Sequence, residues 1–253
     1  MSVAYKITSL ESKLFGDCLL ASLFVHCLND SGIEAFIDKN FSIKELIDCK
    51  NESTNKDIVI YNFVYFNDKS KTIMQTAFEK FKQVFLIDIN IQNKRDFIPI
   101  KFIEDENVQQ VDVVLVTKTS KWAPVRDWPF FDELKSKLDA LNITWIDCSR
   151  LAIKDNKFLN YVKKCKVFVT LETGASHYAS QLVNKNNSLI IQSGYCLNTF
   201  WNSYNYDVIS YKTECNNCFV IGVPCPFEHE CMKKISADSV LVRILEKIRI
   251  NKI

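Results

Sequence analysis

Val167-Phe168-Val169-Thr170-Leu171-Glu172-Thr173-Gly174-Ala175-Ser176-His177-Tyr178-Ala179-Ser180 decides how this chain is read. Val167 to Thr170 is a short apolar, β-branched run of the kind that fills a strand buried on both faces. A tight polar turn follows at Glu172 to Gly174, and an amphipathic helix, 175–182, is predicted behind it. Glu172, Thr173 and His177 are thereby placed beyond the carboxyl end of a strand, where open α/β sheets bind ligands. Helix starts leave backbone N–H groups unpaired, and these attract phosphate or carboxylate.

Working outward, the chain repeats the same grammar. Ala4 to Thr8 is a strand, Gly16-Asp17 a turn, and Cys18 to Leu28 a helix with Leu20, Phe24 and Cys27 on one face. Gly32 closes that helix, and 34–38 is the next strand. A short helix at 42–49, a strand at 57–63, a helix at 72–81 and a strand at 84–89 complete the first half. Strands at 111–117, 143–146, 166–170 and 188–192, with helices at 130–141 and about 236–248, build the second. Alternating strands and helices predict parallel sheets. The polar stretch 90–110 marks a boundary near residue 105, giving domains 1–105 and 106–253 with a cleft expected between them.

Composition excludes several classes. The 253 residues carry 32 basic and 30 acidic side chains, a net charge of only +2, which argues against a nucleic-acid partner. No run approaches the roughly 18 apolar residues of a membrane span, and no signal peptide is evident, so no transmembrane segment and a cytoplasmic location are expected. No G-x-G-x-x-G follows the first strand, which disfavours a dinucleotide-dependent epimerase or dehydrogenase.

Cysteine is the sharpest chemical signal. Cys215, Cys218, Cys225 and Cys231 fall within 17 residues, starting from a Cys-x-x-Cys pair. In a cytoplasmic chain four clustered thiolates suit a tetrahedral structural metal, zinc by default, with His229 as a substitute ligand. A redox disulfide pair is the weaker option.

Four pieces in order resemble the bacterial heptosyltransferases, glycosyltransferase family 9. Phe15-Gly16-Asp17-Cys18-Leu19-Leu20 is similar to the family's N-terminal GD-x-L loop, and Arg126-Asp127-Trp128-Pro129 to its Lys-x-Trp-Pro segment. Glu172-Thr173-Gly174-Ala175-Ser176-His177 resembles its Asp-(Ser/Thr)-Gly-x-x-His loop, and Cys231-Met232-x-x-Ile235 its C-terminal Cys-Met-x-x-Ile. Ile191-Gln192-Ser193-Gly194 with Cys215-x-x-Cys218 is closest to the autotransporter-modifying branch, whose members carry a four-cysteine iron site. The resemblance implies a GT-B fold, two Rossmann-like domains facing a cleft, with the N-terminal one shortened. It implies an ADP-heptose-type donor and inversion at the anomeric carbon. Asp17 becomes the catalytic base, Arg126 the diphosphate contact, and Glu172, Thr173, Gly174 and His177 the donor loop. Gly16, Thr119 and Lys121 complete the donor-binding set, and iron becomes the metal on the four cysteines. The acceptor implied is a hydroxyl of a protein or glycan, and a homo-oligomer or partner subunit is expected.

Each residue has a plainer reading. Asp17 is also placed to cap the first helix, Arg126 to be a solvated surface arginine, and Thr173 and His177 to be a cap and a packed ring. Arg126 stands where the family has lysine and Glu172 where it has aspartate. A binding or scaffold protein that has lost turnover is therefore the competing class.

Overall fold

In the computed structural model, residues 3–8, 15–38, 57–63, 71, 73–88, 90, 91, 100–119, 124–151, 156–195, 206–215, 218 and 225–251 are described, with backbone only at 15–17. The chain divides into two compact units, one within Met1–Lys101 and one comprising Phe102–Leu197 and Tyr204–Ile253.

The first unit opens with strand β1 (Val3–Thr8), helix α1 (Phe15–Asp30) and strand β2 (Ala35–Ile37). Strand β3 (Asp57–Asn62) and helix α2 (Ile73–Phe85) follow. All pairings are parallel, in the order β2-β1-β3, with Tyr5 opposite both Ala35 and Val59. Residues 18–25 of α1 are buried without a break, so this helix is enclosed all round instead of presenting one apolar face. Its one hydroxyl there, Ser22 Oγ, is satisfied by the Leu19 carbonyl at 2.7 Å. Gly32, at φ +81°, turns the chain back, and the Asn29 side chain bonds both the N–H and the C=O of Ala35 to fix where β2 begins.

The strand expected at 84–89 does not form. Helix α2 runs on to Phe85, because Phe81 and Phe85, one turn apart, join Tyr5 and Tyr61 in an aromatic cluster with ring centroids 4.8–5.5 Å apart. Packing along a helical period outweighs the strand propensity of the Val84-Phe85 run. Leu86 then leaves the helix at φ +53° and is almost fully exposed. The short helix expected at 42–49 lies outside the described residues.

The second unit holds β4 (Val113–Leu115), α3 (Phe131–Ala140), β5 (Trp145–Asp147), α4 (Asn156–Lys164) and β6 (Val167–Leu171). It continues with α5 (Gly174–Ala179), β7 (Ser188–Gln192), β8 (Asp207–Ser210), α6 (Glu230–Lys233) and α7 (Ala237–Ile250). Its sheet is parallel throughout, in the order β5-β4-β6-β7-β8. The helix expected over 175–182 is six residues of α5 followed by a 3₁₀ turn, Ser180–Leu182. β6 and β7 are buried at every residue, as their apolar runs require. The core packs Val113, Leu115, Val167, Val169, Leu189 and Ile191 against Leu134, Leu138, Val240 and Ile244. Edge strand β8 is tied to α7 by Asp207, which meets Arg243 at 2.6 Å and the buried Lys247 at 2.9 Å.

The fold is therefore α/β with two parallel sheets, each built of Rossmann-like units in the GT-B manner. In each sheet the chain reverses direction beside its first strand, between β1 and β3 and between β4 and β6. The crevice outside the carboxyl ends at such a reversal is where open sheets take ligands. Among the described residues no helix is long and apolar enough to cross a membrane.

Candidate functional site

Three strand exits and one turn surround the reversal in the second unit. β4 runs out into Thr117-Lys118-Thr119, β6 into Glu172-Thr173-Gly174, and β7 into Ser193-Gly194-Tyr195, while Pro124–Arg126 forms a 3₁₀ turn. That turn is anchored from behind. Trp128 is 2% exposed, donates its Nε1 to the Ile235 carbonyl at 2.8 Å and meets Phe131 edge-on at 4.9 Å.

Arg126 is no surface arginine, being only 3% exposed. Its guanidinium lies 5.4 Å from the centre of the Tyr195 ring, within cation–π range. It also acts electrostatically on Glu172 and His177, both of them buried.

Glu172 is held on both oxygens. Gln192 Nε2 donates to Oε1 at 3.0 Å, and the N–H and hydroxyl of Ser193 donate to Oε2 at 3.3 and 3.1 Å. The register explains the meeting: Leu171 pairs with Ile191, so the residues that follow each strand stand side by side. Burial nonetheless pushes the Glu172 carboxyl up to about 7, against the pull of Gln192, the Arg126 charge and Ser193. Burial, and then the Arg126 charge, hold His177 down at about 3, so its ring is neutral at physiological pH. Arg126 is thus a fixed cation beside a carboxyl poised near neutrality and a neutral imidazole.

Thr173 caps its own helix. Its Oγ1 accepts the Ala175 N–H at 3.1 Å, and its carbonyl accepts the N–H groups of Ser176 and His177 at 3.1 and 3.4 Å. These first-turn donors, expected from the sequence to face an anion, are engaged within the turn. The positive charge available here is therefore that of Arg126 more than that of the helix start.

Thr119 is likewise engaged: its N–H and hydroxyl both donate to Asp127, at 2.8 and 2.7 Å. A cavity of about 710 Å³ opens beside it, lined by Thr117, Lys118, Asp147, Ser149, Arg150 and His229 among others. Asp147 organises that wall, accepting from Thr117 and Lys135 at 2.8 Å and from the Ser149 N–H at 3.0 Å. Burial raises its carboxyl, but the bonds from Lys135, Ser149 and Thr117 bring it down to about 2. Lys121 lies outside the described residues, and Gly16 and Asp17 are seen as backbone in the first turn of α1.

Sequence reasoning quoted Gln192, Ser193 and Gly194 only as part of a motif and gave them no role. Tyr195 went unnoticed. What would have found them is the β6–β7 register, which makes 172 and 192 neighbours.

Among the described residues no three His, Cys, Asp or Glu side chains stand in an arrangement that would hold a metal ion. The four cysteines are nevertheless gathered. None is in a disulfide, and the Cys231 thiol feels Cys215, Cys225 and Cys218 as like charges. Burial raises that thiol, a hydrogen bond from the Gly194 backbone lowers it, and its three neighbours raise it further. The four sulfurs are of the donor type that binds iron or zinc, but they do not stand in coordinating geometry.

The buried carboxyl makes a prediction. In the unfolded chain Glu172 titrates near its ordinary value of 4.5, and in the folded protein at about 7. Between those values the folded state holds the extra proton, so this group's stability contribution is full below the lower value and is lost as pH rises through the upper one. His177 opposes it, its contribution being lost as pH falls below the ordinary histidine range. Urea unfolding should show that Glu172→Gln removes about 1 kcal/mol of pH dependence between roughly pH 6 and pH 8. Identical pH profiles for the two proteins would mean that Glu172 is ionised throughout.

The fold matches solved structures along nearly its whole length. The dodecameric iron-containing glycosyltransferase TibC of enterotoxigenic E. coli H10407 superposes with a TM-score of 0.65 at 12% identity, over 98% of this chain and 76% of that one. The TibC heptosyltransferase in complex with ADP-D-β-D-heptose gives 0.65 at 14% identity over the same shares. The glycosyl transferase family 9 protein of Veillonella parvula DSM 2008 gives 0.60 at 10% identity, over 98% of this chain and 97% of that one. E. coli ADP-heptose lps heptosyltransferase II gives 0.58 at 10% identity, over the full length of both. No family model and no curated protein matches the sequence.

Proposed function

We propose that the chain is an inverting glycosyltransferase that moves a sugar, heptose from ADP-heptose, to a hydroxyl of a protein or glycan. The observation that carries this reading is the buried Arg126, whose charge acts on both the buried Glu172 and the neutral His177, at the reversal of a parallel sheet. In the reaction Asp17 accepts the acceptor's hydroxyl proton, the freed oxygen forms a bond to the anomeric carbon, and the bond to the diphosphate breaks with inversion. The charge left on the nucleoside diphosphate needs a fixed positive group, and Arg126 offers a rigid, desolvated one. Gly16, Thr119, Lys121, Thr173, Gly174 and His177 complete the donor site, and His177, as a neutral ring, suits a sugar or phosphate oxygen. Cys215, Cys218, Cys225 and Cys231 hold iron or zinc, a structural ion with no open position. Domains 1–105 and 106–253 serve the acceptor and the donor, and the protein works as an oligomer in the cytoplasm.

A second reading has its own support. Both Glu172 oxygens are already occupied by Gln192 and Ser193, as in a structural strut, which favours a protein that binds nucleotide-sugars without turning them over. Purified protein screened against nucleotide-sugars by calorimetry and mass spectrometry separates the two. Selective binding of an ADP-sugar with release of ADP supports the transferase, binding without product supports the second reading, and no binding overturns both.

A further inference from the structure

Arg126 and Tyr195 come from separate parts of the second unit, and each is held from its own side. Arg126 ends the Pro124–Arg126 turn, which the Asp127 N–H closes on the Pro124 carbonyl at 3.0 Å and Trp128 anchors to Ile235. Tyr195 stands three residues beyond the end of β7. Its N–H donates to Ser193 Oγ at 3.3 Å, and that same hydroxyl donates to Glu172 Oε2 at 3.1 Å. One serine hydroxyl thus ties the tyrosine backbone to the buried carboxyl. Tyr195 is 8% exposed, and the Arg126 guanidinium carbon lies over its ring, 5.4 Å from the centre.

A buried arginine can be held by a carboxylate or by an aromatic face, and the two leave it in different states. A carboxylate in contact with the guanidinium offsets its charge. A ring face attracts the cation through its quadrupole, most strongly where water is excluded, and brings no formal charge against it. The forked in-plane donors of the guanidinium match a carboxylate or phosphate, not a ring face. Arginine also has many rotamers, and a ligand that needs one of them binds less tightly by the fraction of time the side chain spends elsewhere. A ring that holds the guanidinium before the ligand arrives removes that loss.

We infer that Tyr195 is a positioning residue for Arg126: anchored through Ser193 on Glu172, its ring keeps the buried guanidinium, still charged, in the orientation that receives a diphosphate. The diphosphate rests on the donor-site reading above; the ordering of Arg126 by Tyr195 does not.

The test uses the full chain with Tyr195→Phe, Tyr195→Leu or Ser193→Ala, and with fluorinated phenylalanines at position 195, which drain charge from the ring face at nearly constant size. Order of the Arg126 side-chain Nε–H is read by nuclear magnetic resonance relaxation without ligand, and ADP affinity by calorimetry. Tyr195→Phe should keep both within about twofold, since the ring face remains. Tyr195→Leu should lose the order at Arg126 and weaken ADP binding about tenfold. Each added fluorine should lower both in steps. Ser193→Ala keeps the ring but drops its anchor, and should weaken ADP binding about threefold. If Tyr195→Leu fails to fold, the near-isosteric fluorinated series carries the comparison. Equal order at Arg126 across that series overturns the inference, because a tyrosine that only fills space gives the same flat result. ADP affinity that stays constant while the order falls overturns it as well. Order that falls with fluorination while no form binds ADP leaves the positioning role standing and removes the donor site.

Discussion

Asp17→Asn should lower sugar transfer by about 10²–10⁴-fold while ADP still binds as it does to the unaltered protein. Asparagine keeps the shape and the hydrogen-bonding reach of aspartate but cannot take a proton. The place of Asp17 inside the helix is not that of an N-cap. Helix α1 begins at Phe15, so Asp17 is the third residue inside the first turn. The same helix leaves β1 beside the reversal between β1 and β3, where the first unit would meet a ligand. A merely electrostatic contribution to α1 would be worth about 0.3–1 kcal/mol of stability and nothing in turnover. Mass-spectrometric transfer assays with calorimetric ADP titrations distinguish the two, and full turnover in Asp17→Asn would remove Asp17 from the mechanism.

The parts of the fold that could be read in the sequence are those whose burial is local in origin. β6 and β7 are enclosed on both faces, and their unbroken apolar runs say so. β8 could not be read that way: Asp207–Ser210 is half-buried at the sheet edge, and its place depends on Asp207 meeting Arg243 and Lys247 some 36 and 40 residues away. Helix α4 was hidden for another reason. Phe158, Leu159 and Val162 are its apolar face, too short a pattern among lysines to stand out. The site divides along the same line. Glu172 is marked by its turn, but Gln192 and Ser193 become its partners only through a register between strands. Long-range pairing of that kind leaves no local periodicity to detect.

Arg126→Ala should weaken ADP binding by about 100-fold, the loss of a desolvated, forked contact to phosphate worth near 3 kcal/mol. Arg126→Lys should fall between, since the charge remains and the fork does not. The substitution also has a signature that needs no ligand. The Arg126 charge pulls the Glu172 carboxyl down against burial, and it adds to burial in holding His177 down. Without it both groups move up. Glu172 then keeps its proton to higher pH, so the fall in stability with rising pH shifts upward from about 7. His177 gains a proton more readily, so its loss of stability on acidification begins to fade. Urea unfolding of Arg126→Ala across the pH range should therefore show the neutral-side fall in stability displaced to higher pH and the acid-side loss made smaller. A weakened ADP affinity with an unmoved profile would place Arg126 on the phosphate but away from Glu172. A displaced profile with unaltered ADP affinity would make Arg126 a structural cation of the Glu172 cluster, and the leaving-group role would pass to another residue.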